Sequence, residues 1–246
     1  MKKILFAALM LIVNALHSQV LIHAHNDYEK KEPLFNALRN KAFAIEADVY
    51  LVDGKLMVAH DRKDIRPEKT LQAMYLDPLD SLFTKYKGYV SADRKYKPVL
   101  VIDIKSDGEK AIATLIAMIS RHHKNFDRRV NPMAVEILIS GDRGPVSSWR
   151  SYPAFIKFDG RPTEEYDIAT LSRVLTISES YTKYSKNGSL ITDSLKTFVD
   201  EAHLQKKLVR LWGAPDDVTT WKLFRKRGID IINTDKIEEC RKAFSF

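Results

Sequence analysis

The feature of this 246-residue sequence that most restricts its fold is a repeated alternation of apolar and amphipathic segments. Eight short apolar segments lie near residues 20–25, 42–49, 99–105, 134–140, 154–159, 174–178, 208–212 and 230–234. Amphipathic stretches separate most of them, at residues 32–40, 68–86, 109–122, 163–169, 190–205 and 215–227. Strands that alternate with helices predict a parallel sheet covered by helices. Eight such units predict one α/β domain over residues 20–246, a (β/α)8 barrel of the TIM type.

Charged side chains interrupt two of the predicted strands, although barrel strands are buried on both faces and are usually apolar throughout. Glu46 and Asp48 lie in "FAIEADVYL", and Asp103 and Lys105 lie in "VLVIDIKSD". Alternate residues of a strand share a face, so the two members of each pair point the same way. A buried charge persists only with a partner or a metal, so we expect a polar site inside the barrel mouth.

Two later strands repeat this pattern. Lys157 and Asp159 are two residues apart in "FIKFDG", and Arg210 and Trp212 are two residues apart in "LVRLWG". Ion pairs among the three charged residues would also explain their presence, so a structural role and a role in the site both stay open for them.

The three carboxylates of Glu46, Asp48 and Asp103 predict an oxygen-rich site for one divalent cation. Such a ligand set suits Mg²⁺ or Ca²⁺, whereas zinc prefers nitrogen and sulfur ligands. A cation beside the ammonium group of Lys105 is an arrangement that neutralises a phosphate.

The segment "LIHAHNDYEK", residues 21–30, admits two interpretations of its histidines. A His-x-His pair on the first strand also begins binuclear, nitrogen-rich metal sites, but those need further histidines at later strand ends. Only His23, His25 and His60 are close to predicted strand ends; the others fall in the first segment or in predicted helices, at His17, His122, His123 and His203. We therefore favour a carboxylate-held metal with histidines as acid and base. A turn at Asp53-Gly54 and a short extra strand are expected to bring His60 to this site.

Several motifs resemble the superfamily of glycerophosphodiester phosphodiesterases and phosphatidylinositol-specific phospholipase C-like enzymes, which includes the sphingomyelinases D. They are "IHAHND", "IEADVYLVDGKLMVAHD", "VIDIK" and "VRLWGAPDDVTTWKLFRKRGIDIINTD", and they run from about residue 20 to residue 240. The resemblance implies His25 and His60 as catalytic residues and in-line attack through a cyclic phosphate. It also implies Glu46, Asp48 and Asp103 as metal ligands.

The sequence departs from the superfamily's usual motifs at two positions. Asp103 stands where glycerophosphodiester phosphodiesterases usually carry glutamate, and Asn26 stands where many members carry arginine. Aspartate is closer to the sphingomyelinase D pattern, and the sequence also resembles a branch related to the fungal "altered inheritance of mitochondria" type proteins. His23 has no clear counterpart, so we expect it to pack or to support a ligand.

Charge and the first nineteen residues bear on partners and location. Lys2 and Lys3 precede ten apolar residues, 4–13, and Ser18 is a small residue near a cleavage point. This pattern predicts a secretory signal peptide over residues 1–19 and an exported mature chain. The net charge of +8 is scattered rather than clustered, which argues against nucleic-acid binding. It fits anionic small molecules or peripheral contact with a membrane surface. No obligate protein partner is predicted.

These observations together predict a secreted, metal-dependent phosphodiesterase that acts on a glycerophosphodiester or a phospholipid head group. Lys105, Asn26 and Lys157 are predicted to bind the substrate. Trp212 is predicted to form an apolar wall for it, with core packing as the alternative. Two other functions stay open at this stage: a barrel that binds phosphorylated head groups without turnover, and a different metal-dependent barrel hydrolase.

Overall fold

The computed structural model describes residues 20–186, 189–190 and 192–244. The predicted signal peptide, residues 1–19, lies outside the described residues. Within the described ranges, none of the helices combines the length and the apolar character that crossing a membrane requires.

Eight parallel strands close into a barrel, which confirms the predicted (β/α)8 fold. Their order around the barrel is β1-β2-β4-β5-β6-β7-β10-β11, and pairing of β1 with both β11 and β2 closes it. In chain order the strands are β1 (Leu21–Ala24), β2 (Ala44–Val52), β3 (Lys55–Val58), β4 (Val99–Ile104), β5 (Glu136–Gly141), β6 (Ile156–Gly160), β7 (Val174–Ser180), β8 (Ser185–Lys186), β9 (Ser189–Leu190), β10 (Leu208–Trp212) and β11 (Ile231–Thr234). The eight barrel strands coincide with the eight apolar segments of the sequence.

Helices of unequal length cover the barrel. They are α1 (Phe35–Arg39), α2 (Asp77–Lys85), α3 (Gly108–Ser120), α4 (Ile168–Leu171), α5 (Thr192–Leu204), α6 (Val218–Lys226) and α7 (Ile237–Ala243). A π-helical segment, Gln72–Leu76, leads into α2, and only a 3-10 helix, Val146–Ser151, lies between β5 and β6. The helix predicted over 163–169 is displaced to α4. Its amphipathic residues form a loop instead, because the Glu164 carboxylate and the Tyr166 hydroxyl accept hydrogen bonds from the Arg161 backbone N–H, both at 2.9 Å.

A β-hairpin after β2 places His60 near the barrel mouth. Strand β3 pairs antiparallel with β2 across a turn in which Asp53 and Gly54 have φ angles of 48° and 74°. Two consecutive positive φ angles match a type I′ turn, for which Asp-Gly is a preferred sequence. The chain then returns over β2, since the Ala59 N–H donates to the Asp48 carbonyl at 3.2 Å. The hairpin predicted from "VDGKLMVAHD" is therefore confirmed.

The barrel interior changes from apolar to polar along its axis. Near the amino ends of the strands, Ala44, Val99, Val101 and Leu138 form a small apolar cluster. The larger hydrophobic core lies between the barrel and its helices and includes Ile22, Ile45, Ile102, Ile137 and Trp149. Polar side chains fill the interior above the small cluster, toward the carboxyl ends. This is the end at which TIM-barrel enzymes carry their active sites.

Candidate active site

Three carboxylates meet at the carboxyl ends of two adjacent strands. Asp48 on β2 and Asp103 on β4 are register partners, and Glu46 lies one inward position below Asp48 on β2. One oxygen from each of the three lies within 4.8 Å of the others. Glu46 and Asp48 are buried, and the Asp103 side chain is 16% exposed. The structure thus brings the three predicted metal ligands together.

The donor set fits a hard divalent cation. Mg²⁺ and Ca²⁺ lie about 2.0–2.6 Å from their oxygen ligands, so two ligands of one ion are at most about 4–5 Å apart. The Asp48 Oδ1 atom is buried and has no hydrogen-bond partner among the described residues. A buried carboxylate oxygen without a partner is costly, and a cation would satisfy it. Burial, followed by the charge of Glu46, raises the pKa of Asp48 above its ordinary value, so the site favours added positive charge.

Lys105 supplies one positive charge at this cluster. Its ammonium group donates to Asp103 Oδ2 at 2.5 Å and lies 2.8 Å from Asp48 Oδ2. Burial opposes the charged form of Lys105, but Asp103 and Asp48 outweigh it and raise the pKa of the ammonium group. Lys105 therefore stays protonated at neutral pH and can also face a phosphate oxygen.

His23 supports Glu46 from the neighbouring strand. Its Nε2 lies 3.0 Å from Glu46 Oε2, and the ring is buried. Burial, with the charge of Arg210, lowers the pKa of His23, so the ring is neutral and donates its Nε2 hydrogen. Burial alone would raise the pKa of Glu46, but the hydrogen bond from His23 and the charge of Arg210 outweigh it and lower this pKa below its ordinary value. Glu46 is therefore an ionised carboxylate held in one orientation.

The two predicted catalytic histidines both lie at the barrel mouth, each beside an aspartate. His25 follows β1, and its Nδ1 is 3.1 Å from Asp235 Oδ1. His60 follows the hairpin, and its Nδ1 is 3.2 Å from Asp48 Oδ2. The two side chains are 34% and 55% exposed, so both rings reach solvent. Within the described chain, the Nε2 atoms of both rings make no hydrogen bond, which leaves them available for proton transfer.

Tyr28 connects these groups, a contact that the sequence did not reveal. Its hydroxyl donates to Asp48 Oδ2 at 2.8 Å and lies 3.2 Å from His60 Nδ1. It also lies 2.9 Å from Asn26 Oδ1, so Asn26 contacts the cluster of Asp48 and His60 through this hydroxyl. Asn26 adopts a left-handed conformation, with φ at 46°, which asparagine tolerates better than most residues.

An ion pair lies inside the barrel between Asp159 and Arg210. The Arg210 Nη2 donates to Asp159 Oδ2 at 2.9 Å, and the hydroxyl groups of Thr176 and Ser178 donate to Oδ1. Burial would raise the pKa of Asp159, but the charges of Arg210 and Arg161 outweigh it and hold this pKa far below its ordinary value. The pair satisfies both charges, which is the structural alternative that the sequence left open for these two residues.

Trp212 closes β10 at the mouth. The Arg161 guanidinium lies 4.7 Å from the centre of its ring, and the Arg210 guanidinium lies at 5.9 Å. Trp212 is partly exposed rather than buried in the core, so its position agrees with the predicted wall at the substrate side.

The placement of Lys157 contradicts its predicted substrate-binding role. Lys157 is the second residue of β6 and pairs in register with Leu138 of the small apolar cluster. Its ammonium group donates to the Ser172 carbonyl at 3.1 Å, just before β7 begins. Lys157 therefore faces the amino end of the barrel, away from the three carboxylates. Alternation along the strand correctly predicts that Lys157 faces the barrel interior, but it does not predict how far along the barrel axis the side chain lies.

Sequence reasoning assigned no role to Tyr28 or Asp235, although both lie in motifs that it used. Tyr28 completes "HNDY" after β1, and Asp235 completes "INTD" after β11. Asp235 is a polar residue directly after a barrel strand, and Tyr28 lies four residues after the end of β1, in the loop at the same end of the barrel; this position is the signal that could have identified them.

Comparisons with known proteins match part of this chain to a phosphodiesterase domain. Residues 14–129, just under half of the chain, match the AIM6-like phosphodiesterase domain. An "Altered inheritance of mitochondria protein 6 homolog" from Arthroderma benhamiae is 34% identical over 108 residues, which cover 37% of this chain and 34% of that protein. "Altered inheritance of mitochondria protein 6" from Eremothecium gossypii is 25% identical over 268 residues, covering 90% of this chain and 68% of that protein.

Solved structures share the fold. The crystal structure of a glycerophosphodiester phosphodiesterase from Parabacteroides distasonis matches with a TM-score of 0.58 and 17% identity, over 92% of this chain and 96% of that one. The barrel is therefore of the type found in glycerophosphodiester phosphodiesterases. The resemblance to that superfamily, predicted from the motifs, is confirmed.

Proposed function

We propose that this protein is an exported, divalent-cation-dependent phosphodiesterase that cleaves a glycerophosphodiester or a phospholipid head-group phosphodiester. The observation that carries the proposal is the convergence of three carboxylates, Lys105 and two solvent-facing histidines at one rim of the barrel. The match to a phosphodiesterase domain and the shared barrel fold support the reaction class.

Glu46, Asp48 and Asp103 would hold the cation. A divalent ion bound there supplies positive charge to a phosphate oxygen, which makes the phosphorus atom more open to attack. Lys105 contacts two of the same carboxylates, so its ammonium group is positioned to neutralise a second phosphate oxygen.

His25 and His60 would carry the protons. One imidazole accepts the proton of the attacking oxygen, either water or a neighbouring hydroxyl of the substrate, as the new P–O bond forms. The other donates a proton to the ester oxygen as the old P–O bond breaks, so the alcohol leaves in neutral form. Positioned acid–base catalysis of this kind contributes about 10²–10⁴-fold. Asp235 orients the His25 ring, and Asp48 with Tyr28 orients the His60 ring.

The direct test is hydrolysis of bis(p-nitrophenyl)phosphate by the purified protein. We expect turnover with Mg²⁺ or Ca²⁺, and its loss when EDTA is added. His25→Ala and His60→Ala should each lower kcat by about two orders of magnitude or more. His203→Ala is a matched control, because His203 pairs with Asp230 beside the amino end of β11. Wild-type turnover in either of the first two variants would contradict the proposal, and binding of a phosphodiester without turnover would favour a non-catalytic barrel.

Export is part of the same proposal and has its own test. The first nineteen residues have the charge and apolar pattern of a signal peptide. Protein recovered from the native cells should lack this segment and begin near residue 19 or 20. A cytosolic protein with an intact amino terminus would contradict this part of the proposal.

A further inference from the structure

Arg161 and Trp212 form a surface at the barrel mouth, on strands that are not adjacent to those carrying the cation ligands. Trp212 ends β10, which is four strands away from β4 and Asp103 in the closed eight-strand order. Arg161 directly follows β6. Because it lies two residues after Asp159, its side chain points to the same, inward side of the strand. We call these two side chains the head-group platform. A phosphodiester held at the carboxylates would extend one of its two alcohols toward it.

The Arg161 guanidinium is fixed on the platform with one edge unused. Its Nη1 donates to Asp159 Oδ2 at 3.0 Å and to the Gly160 carbonyl at 2.9 Å, and its Cζ lies over the Trp212 ring, 4.7 Å from the ring centre. Its Nε and Nη2 atoms make no hydrogen bond within the described part of the chain, and the side chain is 20% exposed. These two atoms form the side of a guanidinium that binds the paired oxygens of a carboxylate or phosphate.

The carboxylates around the platform are already paired with arginine side chains. Asp159 provides one carboxylate for two guanidinium groups, those of Arg161 and Arg210. The nearby Glu164 carboxylate is bound in a bidentate pair by Arg143, at 3.0 and 2.8 Å, and meets Arg161 only at its backbone N–H. The Arg161 guanidinium therefore shares its carboxylate partner with Arg210, and its Nε and Nη2 edge meets no carboxylate of the described residues.

We propose that the head-group platform selects a phosphodiester whose second alcohol carries an anionic group, and that it disfavours a quaternary ammonium such as choline. This inference rests on the proposed function, because it names the substrate class for the same site. A quaternary ammonium binds to the face of an aromatic ring. Here the indole already contacts two guanidinium groups, which would repel such a cation, whereas an anion meets the free edge of Arg161.

The experiment compares three glycerol 3-phosphodiesters in one reaction. They share the glycerol arm and differ in the second alcohol, which is choline, its neutral carbon isostere 3,3-dimethylbutanol, or 3-hydroxypropanoate. Loss of each phosphodiester is followed by ³¹P NMR, so either cleaved bond is detected, and competition in one pot gives ratios of kcat/KM. For the wild-type protein we expect the anionic diester to exceed the choline diester by about 10-fold or more, as for a hydrogen bond to a charged group.

Variants assign that preference to Arg161. Arg161→Gln should lower the ratio of anionic to neutral substrate by about 10–100-fold, and Arg161→Lys, which keeps the charge beside Asp159, should retain part of it. Arg150→Gln removes an exposed arginine that pairs with Asp167, and it should leave the ratio unchanged. Equal rates for all three diesters, a preference for choline, or an unchanged ratio in Arg161→Gln would overturn the proposal. If Arg161→Gln does not fold, the substrate ratios of the wild-type protein and of Arg161→Lys still test the proposal.

Failure of the platform and failure of the enzyme give different results. If none of the three diesters is cleaved with any divalent cation, the proposed function is wrong. Calorimetric binding of the same three compounds then tests the platform independently of turnover. Tightest binding of the anionic diester would support it, and equal or choline-favoured binding would refute it.

Discussion

Replacement of Tyr28 by phenylalanine tests how Asp48 and His60 are held together at the proposed catalytic rim. The Tyr28 side chain is buried, and its hydroxyl donates to Asp48 Oδ2 at 2.8 Å while lying 3.2 Å from His60 Nδ1. When His60 carries its hydrogen on Nδ1, the hydroxyl and Asp48 both accept from it, and Nε2 is left free to take a proton. Tyr28→Phe keeps the ring and its packing but removes this shared partner.

The size of the effect follows from the type of bond that is lost. Hydrogen bonds to charged groups contribute about 1.5–3 kcal/mol, and 1.36 kcal/mol corresponds to a factor of ten. Because the hydroxyl contacts Asp48 and His60 rather than the substrate, we expect the loss in kcat, by roughly 10–100-fold, with little change in KM. The free energy of unfolding should fall by roughly 1–2 kcal/mol, since a buried carboxylate loses a donor.

The assay is steady-state hydrolysis of bis(p-nitrophenyl)phosphate, together with urea unfolding of the same samples. Tyr50→Phe is the matched control, because the Tyr50 hydroxyl also reaches His60 but bonds only its backbone carbonyl, at 3.2 Å. Tyr50→Phe should keep the wild-type kcat. A Tyr28→Phe protein with wild-type kcat, or one that loses activity only by raising KM, would refute the positioning argument.

Three further changes have defined outcomes. Arg210→Met breaks a buried ion pair, but Asp159 keeps Arg161 as a partner, so the free energy of unfolding should fall by about 1–3 kcal/mol, less than for a buried charge left without any partner. Adding Asp159→Asn should recover part of this loss, and no recovery would contradict the pairing. Burial raises the pKa of Asp27 from 3.8 to about 6, against opposing hydrogen bonds from Leu34 and Tyr75. Its ionisation therefore costs stability as pH rises through about 4–6, by at most about 3 kcal/mol. Asp27→Asn should be more stable than wild type at pH 7 and lose this advantage near pH 4, as measured by urea unfolding at both pH values. Lys157→Ala, at the amino end of the barrel, should keep wild-type kcat and KM. A large loss of activity in this variant would show that Lys157 does take part in substrate binding.

The strands of this barrel were predictable because each carries a local signal. Eight apolar segments gave the eight barrel strands, and Asp53-Gly54 gave the hairpin, since its turn needs two positive φ angles. The helices were less predictable. Residues 163–169 have an amphipathic pattern, yet the side chains of Glu164 and Tyr166 bind the Arg161 backbone and hold a loop there. Side chains that bind nearby backbone groups compete with a helix, and periodicity alone does not report this.

The candidate site was predictable where charge stood out against an apolar background. Glu46, Asp48, Asp103 and Lys105 were found because carboxylate and ammonium groups are costly inside a barrel. Lys157 was misplaced by the same reasoning, because alternation gives the face of a strand and not the height along it. Tyr28 is compatible with a core as well as a site, and only its three contacts across β1, β2 and the hairpin separate the two roles.

The most direct test of the central claim is the position of a bound divalent ion. We would soak crystals of the protein in Mn²⁺, an oxygen-preferring stand-in for Mg²⁺, and locate it by anomalous scattering. The structure predicts one ion per chain, within about 2.0–2.6 Å of carboxylate oxygens from Glu46, Asp48 and Asp103. An ion bound elsewhere, or none at this rim in well-ordered crystals at saturating Mn²⁺, would contradict the account.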